Sequence, residues 1–93
     1  MQVRLYASLR QTVGTKVVEI PVKDNQTVGV VLHALVDRYP ELCEAIWSAD
    51  GSLAGHVAVI LNGRDIRHLD NVDTPLTDED TLALFPPVGG GVS

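Results

Sequence analysis

Few residues in this sequence have types and spacings suited to chemistry. The histidines His33, His56 and His68 are scattered and show no metal-ligand spacing with Cys43. His33 falls on the polar side of a helical pattern, as a solvated side chain. Cys43, beside Leu42 in a weakly amphipathic stretch, reads as a partly buried small hydrophobe and not as a nucleophile. Asp78-Glu79-Asp80 is acidic but lacks the ligand count and spacing of a calcium loop, so it reads as a polar turn. Gly89-Gly90-Gly91 precedes no helix and cannot cradle a phosphate. Its position is the informative feature. It follows Pro86-Pro87, which would stiffen the exit from a preceding strand. Residues without Cβ can thread a narrow space, so a Gly-Gly end can present a slim carboxylate to another protein's tunnel. By composition alone such a run reads as a frayed end.

The elements that would carry these residues must fit in 93 residues, which is one domain. Apolar residues make up 45% and charged residues 20%, a globular composition. Twelve acidic residues against seven basic give a net charge of −5. That surplus argues against non-specific binding to nucleic acid or an anionic membrane. Nothing approaches the roughly 20 apolar residues of a membrane span. Met1 leads into Gln2-Val3-Arg4-Leu5, too polar for a signal peptide. The single cysteine forbids an internal disulfide. The expectation is a small cytoplasmic domain.

Residues 2–8 alternate, with Val3, Leu5 and Ala7 on one face and Arg4, Tyr6 and Ser8 on the other, which predicts a strand. Residues 9–15 read as a loop or a short helical turn, and 16–22 as a second strand, antiparallel to the first in a hairpin. Thr27 is placed as an N-cap. Val28, Val31, Leu32, Leu35, Val36 and Tyr39 then lie on one face of a helix that Pro40 stops. Residues 41–47 predict a second, shorter helix, with Leu42, Ile46 and Cys43 turned inward. Residues 57–61 are apolar on both faces and read as an interior strand. Asn62-Gly63 predicts a hairpin to a short strand at 65–68, and 81–85 closes the series. One helix must cover one face of this mixed sheet, with the first and last strands side by side in its middle. That is an α+β fold, a β-grasp roll of about five strands on one main helix plus a short one. Residues 1–88 form the domain, and 89–93 a flexible glycine-rich tail.

Asp80 through Gly91, containing Phe85-Pro86-Pro87-Val88-Gly89-Gly90-Gly91, resembles the C-terminal signature of the MoaD/ThiS family of ubiquitin-like sulfur carriers. Arg10-Gln11-Thr12-Val13-Gly14-Thr15 and the Asn62-Gly63-Arg64-Asp65 hairpin also resemble that family, and the likeness covers nearly the whole chain. The resemblance implies that a glycine carboxylate is adenylated with ATP by a ubiquitin-activating-enzyme-like adenylyltransferase and sulfurtransferase. A persulfide sulfur then converts it to a thiocarboxylate. The carrier itself is no enzyme and holds no permanent cofactor or metal. The acceptor would be a synthase, such as the molybdopterin synthase large subunit in molybdenum cofactor synthesis or a cysteine synthase for CysO-like members. The Phe-Pro-Pro-Val stretch leans towards the MoaD type. A ubiquitin-like modifier of lysines and an inert interaction module are the alternatives.

The family's usual terminal glycine maps to Gly91, whereas here Val92-Ser93 follow. The expectation is that a metalloprotease removes them and exposes Gly91, or else that the carrier role has been lost. Tyr6 and Phe85 lie opposite core-facing Leu5 and Leu84, on the outward sheet face. The resemblance implies that Tyr6, Phe85, Pro86, Pro87 and Val88 meet the partners there. The acidic surplus would complement a basic groove on the partner.

Overall fold

A computed structural model describes residues 1–23 and 25–86. Its strands are β1 (Gln2–Leu5), β2 (Val17–Glu19), β3 (Ala58–Leu61), β4 (Arg64–Asp65) and β5 (Thr81–Phe85). They form one mixed sheet in the order β2-β1-β5-β3-β4. Helix α1 (Ala7–Val13) joins β1 to β2, and helix α2 (Val28–Arg38) leads through a 3-10 turn at Pro40–Leu42 into α3 (Cys43–Ile46). Further 3-10 turns occupy Ile66–His68 and Asn71–Asp73. This is the expected β-grasp roll.

The alternation seen in the sequence sets the two sheet faces. Val3 pairs across the sheet with Val18 and Leu82, and Leu84 with Leu5 and Val59, all buried. Against them α2 turns Val28, Val31, Leu32 and Leu35, each at most 1% exposed. The helical stripe and the inward sheet face therefore bury each other, and that burial drives the fold. The start of α2 is satisfied by tertiary contact. Thr27 makes no side-chain cap; instead Val28 N donates to Thr74 O at 3.0 Å. Gly29 permits this approach, since a Cβ there would lie 3.2 Å from Val72 O.

Several expectations are corrected. The first strand ends at Leu5, not Ser8, although it pairs antiparallel with β2 as expected, with a short helix as the connection. Ala7 adopts φ 52°, which turns the chain off the sheet into α1, and α1 buries Leu9. Gly14 at φ 87° ends α1 and returns the chain to β2. Cys43 is exposed, while Leu42 and Ile46 are fully buried. Leu42 and Ile46, four residues apart, take the inward face of this turn and α3, and Cys43 is left towards solvent. The strand expected at 65–68 is instead Arg64–Asp65, and Ile66–His68 is a 3-10 turn. Asp65 accepts a hydrogen bond from Arg67 N at 2.9 Å, which closes that turn. The Asn62-Gly63 turn is as expected, with φ of 50° and 87°.

The Met1 ammonium donates to Ile20 O and to Asp78 Oδ1, both at 2.8 Å. Asp78 thereby clasps the sheet edge to the loop before β5. The hydrogen bond from the ammonium, helped by one from the Val22 amide, holds the Asp78 carboxyl below its ordinary range.

Candidate functional site

β1 and β5 run parallel at the centre of the sheet, with Leu5 level with Leu84. Both strands therefore finish at the same edge. Tyr6, just past β1, and Phe85, the last residue of β5, meet there on the face away from α2. Their rings stack with centroids 4.3 Å apart and an interplanar angle of 11°. Both are half-buried, as is Pro86 after them. Phe85 lies opposite Ala58 on β3, a side chain small enough to leave the ring uncovered. Ala83 and Ile60, cross-strand partners, continue the apolar surface. The Arg10 guanidinium, placed by α1, lies 5.7 Å from the Tyr6 ring centroid, within cation–π range. Arg10 Nε also donates to Leu5 O at 3.3 Å.

Of the residues expected to meet partners, the structure thus brings together Tyr6, Phe85 and Pro86. Pro87, Val88, Gly89, Gly90, Gly91, Val92 and Ser93 lie outside the described residues. So does the boundary between domain and tail.

Three of the other candidates, His33, Cys43 and His56, gather around Trp47. His33 is exposed on α2 and stacks on Trp47, centroids 4.4 Å apart. Trp47 Nε1 is buried without a partner. Cys43 and His56 border one open surface cleft of about 590 Å³ with Trp47. No three His, Cys, Asp or Glu side chains among the described residues are placed to hold a metal ion. No helix among them is long and apolar enough to cross a membrane. The sequence reading missed Arg10 at the aromatic pair, because α1 was not delimited. It also missed the His33–Trp47 stack, whose partners come from separate elements.

A β-grasp roll with an aromatic platform where its last strand leaves the sheet defines a ubiquitin-like domain. The chain belongs to the ThiS family, whose sequence profile matches residues 3–91. It is 41% identical over 91 residues to small archaeal modifier protein 3 of Haloferax volcanii, covering 98% of each chain. It is 36% identical to small archaeal modifier protein 1 of the same organism, covering 98% of this chain and 100% of that one. The crystal structure of that protein superposes with a TM-score of 0.88 over 98% of both chains. The sulfur carrier protein CysO of Mycobacterium tuberculosis is 30% identical over 67 residues, 70% of this chain and 72% of its own. The family is one of ubiquitin-like sulfur carriers and modifiers.

Proposed function

We propose that this protein is a carrier activated at Gly91, with Val92-Ser93 first removed by a metalloprotease. The supporting observation is the parallel β1–β5 pair. It brings Phe85 and Pro86, which precede the glycine run in the sequence, out at the Tyr6–Phe85 platform on an open sheet face. A partner gripping that platform would hold the tail in register with its own active site. The partner is a ubiquitin-activating-enzyme-like adenylyltransferase. The Gly91 carboxylate attacks the α-phosphate of ATP, forming the acyl-adenylate and releasing pyrophosphate. This makes a poor electrophile attackable. The terminal sulfur of a partner persulfide then bonds to the acyl carbon and AMP leaves. A second thiol cleaves the S–S bond, releasing the thiocarboxylate and leaving a disulfide on the partner. The carrier contributes no acid or base to these steps.

The thiocarboxylate would serve a cytoplasmic synthase. Delivery to a molybdopterin precursor rests on the Phe85-Pro86-Pro87-Val88 stretch, and delivery to a cysteine synthase on the likeness to CysO. A second fate, joining of Gly91 to lysines of other proteins, is favoured by the two relatives named as modifiers.

The test is ATP–pyrophosphate exchange by the purified activating enzyme with protein ending at Gly91. The proposal expects exchange that falls by about two orders of magnitude with Gly91→Ala, where an added methyl meets a tunnel shaped for glycine. Equal exchange with Gly91→Ala, or none with the unaltered protein, overturns it.

A further inference from the structure

The net charge of −5 conceals a segregation. Residues 1–18 contain Arg4, Arg10 and Lys16 and no carboxylate; all twelve acidic residues lie from Glu19 onward. The fold keeps that segment together, since it forms β1, α1 and the start of β2. Leu5 N donates to Lys16 O at 2.8 Å, and Arg4 faces Val17 across the β1–β2 pair. The three cations therefore surround a small concavity of about 70 Å³ that Leu5, Tyr6 and Val17 complete. All three are exposed, and among the described residues none is within ion-pair distance of a carboxylate. Glu19 is the nearest acidic residue along β2, opposite Gln2. Arg10 is already fixed in place by Leu5 O and the Tyr6 ring, so little side-chain freedom remains to be lost on docking.

We infer that Arg4, Arg10 and Lys16 form a cationic rim on the aromatic platform and that it docks against carboxylates on the activating enzyme. The inference rests on the carrier reading and specifies its partner's chemistry. A basic groove, which the overall charge would suggest, would meet like charge here. The remaining acidic surface would steer the carrier so that this end leads, because an acidic partner surface repels the rest of the molecule.

The test measures association of the protein ending at Gly91 with its purified activating enzyme, by stopped flow at low and high ionic strength. Arg4→Glu/Arg10→Glu/Lys16→Glu should slow association on the order of ten-fold or more at low salt, and salt should erase the difference. Arg4→Glu/Lys16→Glu, which leaves Arg10 on Tyr6, provides a second variant should the first unfold. Glu41→Lys/Glu44→Lys, in the Pro40–Leu42 turn and in α3, outside the platform, should not slow association, because it removes negative charge that an acidic partner repels. Unchanged or faster association of the reversed variants overturns the inference while exchange at Gly91 leaves the carrier reading standing. Absence of exchange removes both. Binding to phosphatidylserine vesicles that the reversals abolish, with enzyme association unchanged, would assign the rim to a membrane and overturn the inference.

Discussion

Replacing Phe85 with alanine separates a structural role for the aromatic pair from a binding role. The ring is half-buried, so its loss removes about half the transfer energy of a fully buried phenylalanine, roughly 1 kcal/mol. Losing the 4.3 Å stack on Tyr6 adds about 0.5–1.5 kcal/mol. The expected destabilisation is therefore roughly 1.5–2.5 kcal/mol, which a domain of this size should survive, with a fall in Tm of about 6–20 °C. A cycle with Tyr6→Ala and the double variant should return a coupling of about 0.5–1.5 kcal/mol in stability. Binding to the activating enzyme should weaken by about 2 kcal/mol, roughly 30-fold, as for an aromatic anchor at an interface centre. The assay is chemical unfolding for the first quantity and a calorimetric titration of folded variant for the second. Affinity unchanged within about three-fold, with the stability loss as expected, would make the pair a fold device and refute the platform. A stability loss beyond about 4 kcal/mol would refute the reasoning about its exposure.

Ala7→Gly should stabilise the protein by about 0.5–1 kcal/mol, because φ 52° strains a residue with a Cβ; thermal unfolding reads the gain. Asp78→Asn should lower Tm at neutral pH. The folded carboxyl titrates below its ordinary value, so its contribution is present above that value and lost as pH falls through the folded one. The variant and the unaltered protein should thus converge in strong acid, and a constant difference across that range would contradict the clasp. Gly29→Leu should destabilise by about 1–3 kcal/mol, because even its Cβ would meet Val72 O and Cβ at 3.2 and 3.3 Å.

Strands β1, β2, β3 and β5 and helix α2 were legible because their apolar periods match the buried faces, whereas β4, Arg64–Asp65, has no apolar residue to mark it. Alternation placed Tyr6 and Phe85 on the same outward face; the parallel pairing of β1 and β5, which brings them to a shared end, is a finding of the structure. Helix α1 was not delimited, because Leu9 and Val13 are too few to show a period and nothing local marks Ala7 for a positive φ. Cys43 was turned inward by neighbouring apolar residues, whereas the 3-10 turn at Pro40 fixes the inward face on Leu42 and Ile46. The cationic rim was visible as a run of sequence without carboxylates, but summing charge over the whole chain erased it. Its assembly around Tyr6 required α1, the element that periodicity could not define.

The carrier role is tested most directly by the intact mass of the protein isolated from its native host under sulfur demand. The account predicts a species ending at Gly91 with one oxygen exchanged for sulfur. A species still carrying Val92-Ser93, or ending at Gly91 with only an ordinary carboxylate and no conjugates, would contradict it.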